Sequence, residues 1–130
     1  MKKHPGFTLM EVVIVLAVIA ILGAIVIPSF LGYTERARLR SDIQSTRVVQ
    51  SAVDLYRAEV GKDAGAGVDA IIERLVEADY LNGVPALQTD KAVWVYDGAA
   101  RKMRIDISGC SDGVKRVVLS DVEKEYVIGG

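Results

Sequence analysis

Residues 6–33 read GFTLMEVVIVLAVIAILGAIVIPSFLGY, and this stretch decides the architecture. From Val12 to Ile27 nothing is more polar than Gly23, and Glu11 is the one charge between Met10 and Pro28. Extended outward to Phe7 and Phe30, the run supplies the roughly twenty residues that cross a bilayer core as a helix. In hydrocarbon a single segment must be helical, because only a helix satisfies all of its own backbone groups. The β-branched run Val12-Val13-Ile14-Val15 therefore predicts helix here. A secretory signal peptide has an apolar core of roughly 7–15 residues and then a small-residue cleavage site. This run is longer, and Pro28-Ser29-Phe30-Leu31-Gly32 offers no such site.

A plain membrane anchor accounts for the length and for Lys2 and Lys3, but not for Glu11. A carboxylate inside a membrane helix costs on the order of 2.5–3.5 kcal/mol and usually has a partner. Two readings follow. Glu11 reaches back to the interface from its place near the start of the run. Alternatively, it pairs with a cation made by proteolysis: cutting after Gly6 frees an amine at Phe7, one helical turn away.

The order Gly6-Phe7-Thr8-Leu9-Met10-Glu11, after the short basic stretch MKKHPG and before a long apolar run, resembles the N-terminus of type IV pilins and pseudopilins. The resemblance implies that a prepilin peptidase cuts Gly6–Phe7, that Phe7 is then N-methylated, and that Glu11 pairs with the Phe7 amine of an adjacent subunit. It implies residence in the cytoplasmic (inner) membrane before assembly, and in a cell-surface filament afterwards. The expected partners are further copies of the chain in a helical filament, the peptidase, and a pilus or secretion assembly platform. Pro28 falls where many relatives bend their long helix. Physically, a proline within a helix removes one hydrogen bond and kinks or locally melts it; otherwise Pro28 ends the membrane helix at the interface.

Beyond Tyr33 the sequence turns polar but stays helical. Leu39, Ile43, Thr46, Val49, Val53, Tyr56 and Val60 recur at steps of three and four, the signature of one helix face. Arg38, Asp42, Gln44, Arg47 and Arg57 are assigned to the wet face. Lys2 and Lys3 place the N-terminus inside, although Arg36, Arg38 and Arg40 lie just past the other end of the apolar run. GKDAGAG (residues 61–67) reads as a loop. Val68, Ile71, Ile72, Leu75 and Val76 then mark a short amphipathic helix with Asp69 at its favourable end, expected to stop near Asn82-Gly83 and Pro85. LVEADYLNGVP (residues 75–85) also resembles the segment that links helix to sheet in many pilins.

After Asp90 the period becomes two. Val93 and Val95 alternate with Trp94 and Tyr96, and Met103, Ile105 and Ile107 alternate with Arg104, Asp106 and Ser108, an antiparallel hairpin around Asp97-Gly98. Further strands are expected at Lys115–Leu119 and Glu123–Ile128. The fold class is thus α+β, a long N-terminal helix packed on a small antiparallel sheet. The organisation is a leader (1–6), a membrane and assembly helix (7–32) and a head (33–130), itself divided into an amphipathic helix (33–60), a loop with a short helix (61–90) and the sheet (91–130).

The chain has 130 residues, with 16 Lys and Arg against 17 Asp and Glu. That balance argues against nucleic acid as a partner, despite Arg36, Arg38, Arg40, Lys115 and Arg116. Cys110 is the sole cysteine, so it cannot form the C-terminal disulfide loop of many pilins and reads as a small buried apolar residue. His4 is the sole histidine and lies in the leader. No phosphate-binding loop or catalytic constellation occurs, and no cofactor or metal is expected. Asp112, Asp121 and Glu123 read as solvated turn carboxylates before they read as a calcium site. The expected function is a structural subunit of a type IV pilus. The alternatives are a pseudopilin of a type II secretion or DNA-uptake system, and an anchored binding domain that never polymerises.

Overall fold

A computed structural model describes Gly6 and Thr8 to Gly130, with Pro28, Ser29 and Leu31 described by their backbone alone. The expected roles of Phe7 and His4 therefore fall outside the described residues. Seven elements follow in order: helix α1 (Leu9–Val60), helix α2 (Val68–Glu77), strands β1 (Val93–Asp97) and β2 (Lys102–Asp106), short helices α3 (Asp112–Lys115) and α4 (Asp121–Lys124), and strand β3 (Val127–Ile128). Contacts divide the chain into two units, one ending at Thr34 and a head of Glu35–Gly130. The fold is α+β, as expected from the change in period.

The apolar stripe of the head portion of α1 makes the core. Leu39, Ile43, Val49, Val53 and Tyr56 are buried, and Val60 is exposed, contrary to its place in the predicted stripe. Val60 is the last residue of α1. Gly61 follows it at φ 75°, a left-handed conformation suited to glycine, and donates its N–H to the Arg57 carbonyl. Along α1 the core forms two clusters. Val49, Val53 and Tyr56 pack with Ile71 and Leu75 of α2 and with Met103 of β2. Leu39 and Ile43 pack with Ile105, Ile107, Cys110 and Val114.

Three polar residues of α1, spaced by four, fasten the remaining elements to it. Asp42, expected on the wet face, is 1% exposed. Its two carboxylate oxygens accept the backbone N–H groups of Gln88 (2.8 Å) and Thr89 (2.7 Å). Helical periodicity places Asp42 only by angle, and the loop around residues 88–89 covers that angle. Thr46 accepts the Trp94 indole N–H at 2.9 Å and donates to the Asp42 carbonyl. Gln50 accepts from the Met103 N–H at 2.7 Å and donates to the Arg101 carbonyl. One helical stripe thus holds a loop, β1 and β2 in turn. Arg47, also expected to be wet, is half-buried with its guanidinium over the Tyr126 ring.

α2 buries Ile71, Ile72 and Leu75 as its pattern requires, but it stops at Glu77, before Asn82-Gly83. Asp79 takes φ 61°, Tyr80 N–H bonds back to the Leu75 carbonyl, and Asp79 N–H bonds to Val76. This is a Schellman closure with an aspartate in the usual glycine position.

The sheet has the order β1-β2-β3 and is mixed, not antiparallel throughout. β1 and β2 form the expected hairpin, with Trp94 opposite Ile105 and Tyr96 opposite Met103. β3 pairs parallel to β2, through Ile105 with Val127 and Asp106 with Ile128. The strands expected at Lys115–Leu119 and Glu123–Ile128 are displaced by serine caps. Ser111 accepts from the Val114 N–H, and Ser120 forms a full capping box with Glu123. The caps wind Asp112–Lys115 and Asp121–Lys124 into one helical turn each, residues 117–120 between them form no strand, and only Val127–Ile128 joins the sheet. The two turns also act as the crossover that a parallel pairing requires.

Asp42→Ala leaves two backbone donors without their acceptor. Hydrogen bonds to a charged group contribute about 1.5–3 kcal/mol. Thermal unfolding of the full chain in detergent, followed by circular dichroism, should show the head destabilised by an amount of that order. Asp54→Ala, at an exposed position, should change stability by less than about 0.5 kcal/mol.

Candidate functional site at the start of α1

The first turn of α1 is built by a reciprocal pair of hydrogen bonds. Thr8 Oγ1 accepts the Glu11 backbone N–H at 3.2 Å, and the Glu11 carboxylate accepts the Thr8 backbone N–H at 3.2 Å. The Thr8 carbonyl receives the first helical bond, from Val12 N–H. This is a capping box, with Thr8 at the cap and Glu11 three residues on. In the sequence, Glu11 either reaches back to the interface or pairs with an amine made by proteolysis. The partner is the helix's own start, where a carboxylate also meets the positive end of the backbone dipole. The sequence signal of the box is the Thr8-x-x-Glu11 spacing.

Gly6 is exposed in front of this turn, and the Phe7 expected to follow the cut lies outside the described residues. At residue 28 the backbone remains helical, since α1 runs unbroken to Val60. Pro28 therefore does not end the helix. It withholds one N–H from the Ala24 carbonyl while the bonds on either side continue.

The apolar run behind the box is uncovered. Among the described residues α1 is the one helix long and apolar enough to cross a membrane, and none of its most apolar window is buried. Ile14, Leu16, Ile19, Leu22 and Ile25 are each more than half exposed. Exposure on this scale demands a nonaqueous environment, either lipid or other apolar helices.

The remaining candidate groups are structural. Among the described residues no three His, Cys, Asp or Glu side chains gather in a way that would hold a metal. Asp121 pairs with Lys124, and Glu123 takes the Ser120 N–H and faces Arg40. The hydrogen bond from Ser120 N–H holds the Glu123 carboxyl below the usual range. Cys110 is free and buried, and burial raises its thiol pKa, the behaviour of an inert core cysteine.

Residues 1–27 match the prokaryotic N-terminal methylation motif. The chain is thus similar, over its N-terminal part, to type II secretion core proteins and to a prepilin peptidase-dependent protein. It is 30% identical over 76 residues to the type II secretion system core protein G of Vibrio cholerae serotype O1, covering 57% of this chain and 52% of the relative. To the core protein G of Aeromonas hydrophila it is 27% identical over 75 residues, covering 56% and 52%. To the prepilin peptidase-dependent protein D of Escherichia coli K12 it is 41% identical over 61 residues, covering 47% and 42%. The matches span about half the length of these relatives. No solved structure matches the chain.

Removing either half of the capping box should loosen the first turn without unfolding the head. A lost cap costs about 1 kcal/mol, which corresponds to roughly fivefold faster local exchange. In micelles, Thr8→Ala should speed amide hydrogen exchange at Glu11 by that factor and leave amides near Val49 unchanged. Unchanged exchange at Glu11 would mean the box does not hold the turn.

Proposed function

We propose that this chain is a pseudopilin, a structural subunit of a secretion-type pseudopilus. A prepilin peptidase would hydrolyse the Gly6–Phe7 bond, and Phe7 would then be N-methylated. The carrying observation is a helix start that joins the methylation motif to an uncovered apolar run of α1. The matches to core protein G in several organisms favour the pseudopilus over the pilus subunit expected from the sequence alone. The pilus reading keeps one specific support, the higher identity to prepilin peptidase-dependent protein D over a shorter stretch.

The physics of assembly follows from the first turn. Cleavage would create an ammonium two residues before α1 in the sequence, and near a helix N-terminus the backbone dipole disfavours a cation. Glu11 is the nearest compensating anion, both for its own chain and for a neighbour's amine. In an apolar bundle an unmatched charge is costly, so pairing Glu11 with a neighbouring amine sets the axial register between subunits. Helix-to-helix packing replaces lipid around Val12–Ile27, and Pro28 supplies the point at which the helix bends or melts when it leaves the membrane.

Intact mass spectrometry of the chain from its native host tests this. The expected mass begins at methylated Phe7. Gly6→Val should leave the chain at full length in the membrane, whereas Glu11→Ala should yield a processed chain that does not enter sedimenting filaments. Processed protein held in the cell envelope, together with loss of protein secretion in a strain lacking the chain, marks a pseudopilin; surface filaments sheared at native expression mark a pilin. An unsubstituted chain that keeps residues 1–6 would contradict both.

A further inference from the structure

Within the head, the two ends of α1 carry opposite charge. α3 sits against the first turn, where Ser111 donates to the Glu35 carboxylate at 3.2 Å and a Cβ on Gly113 would collide with the same group. The Thr89-Asp90 loop shares a small cavity with Glu35, Arg38 and Ser111 there. Residues 35–41, 86–91 and 109–119, which build this end, hold six Lys and Arg against three Asp and Glu. α2 packs at the other end, in one cluster with Val49, Val53 and Tyr56. Residues 61–84, around α2, hold two Lys and Arg against five Asp and Glu. Leu39 and Tyr56, which mark the two ends, are about 25 Å apart along the helix at 1.5 Å per residue.

Each end also offers a shape. α2 and Val84 line an open groove of about 490 Å³ whose apolar wall is Ile72, Val76 and Val84 and whose rim is Asp69, Glu73 and Glu77. The spacing of four puts the three carboxylates on one helix face. Val84 is 73% exposed, and among the described residues none of the three carboxylates has an ion-pair partner. At the basic end, Lys115 and Arg116 are exposed at the close of α3, and Val118, two residues on, is 79% exposed. An apolar knob beside two cations therefore matches an apolar groove rimmed by three anions.

We propose that the Lys115–Val118 segment of one copy docks in the α2 groove of the next, with Val118 against Ile72, Val76 and Val84 and the cations against Glu73 and Glu77. This rests on the filament reading above and names the head contact within it. Two different patches meet, so the contact is heterologous and repeats head to tail into an open helix. Pairing two grooves or two knobs would bring like charges together, which gives the stack a polarity. The charge component also makes the contact weaker in high salt.

Charge exchange in the full-length chain tests the contact. The paired variants Glu73→Lys/Glu77→Lys and Lys115→Glu/Arg116→Glu should each lower sedimentable filament at least tenfold, with processing at Phe7 and the head's unfolding curve unchanged. Combining all four should restore filament to within about threefold of the unsubstituted chain, because each groove again meets a knob of opposite sign. Normal filament in either paired variant, or a combined variant no better than its parents, overturns the docking contact and leaves the filament reading standing. An unsubstituted chain that is processed but never sediments as filament overturns both.

Discussion

Everything in this chain answers to one constraint: α1 begins with an apolar surface that the chain does not cover. None of the most apolar window of α1 is buried, while the same helix further on buries a full stripe beneath the head. The two halves are made by sequence alone. Val12–Ile27 is apolar on every face, so no orientation hides it; residues 39–56 are apolar on one face, so one sheet and one helix suffice. A surface of the first kind has two stable surroundings, lipid and a bundle of its own kind, and a chain that moves between them needs a charge to mark where it stops. In the proposed assembly Glu11 is that charge, and in the isolated chain it is already engaged by the N–H of Thr8.

The capping box changes how Glu11 is understood. A carboxylate accepting the helix's own first N–H is partly satisfied before any partner arrives, which lowers the cost of holding it at the membrane edge. An incoming amine then competes with, or joins, a hydrogen bond that already exists. Thr8 and Glu11 therefore form one structural unit at the start of α1, and Thr8 lies between Gly6 and Glu11 in the sequence.

The long helix, the short amphipathic helix and the hairpin were legible because each has an unmistakable period. The membrane-capable run was legible from composition alone. Features set by single polar residues were not. Asp42 looked like a solvated charge, since periodicity cannot foresee a loop crossing its face to donate two N–H groups. The end of α2 was misplaced because Asp79 took the left-handed position that Asn82-Gly83 seemed to reserve. The last strands were overcalled because alternating apolar residues outweighed two serines, each of which caps a helical turn. At the site, the glycine, the aromatic and the glutamate read as a processing pattern, while the Thr-x-x-Glu spacing carries the local structure of the first turn. At the two serine caps and at Thr8–Glu11, a side chain bonding to nearby backbone overrode the hydrophobic pattern.

The most direct measurement asks what covers the apolar start of α1. A nitroxide attached at Ile19→Cys, in a Cys110→Ser background, can be probed by spin resonance with dissolved oxygen and with a water-soluble nickel chelate. Burial first in lipid and then among helices predicts strong relaxation by oxygen and none by nickel in vesicles, and continued protection from nickel in assembled filaments. Relaxation by nickel in either state, to the degree seen for a label on the exposed Val122, would mean that water reaches this surface, and the constraint on which the fold and its assembly depend would be wrong.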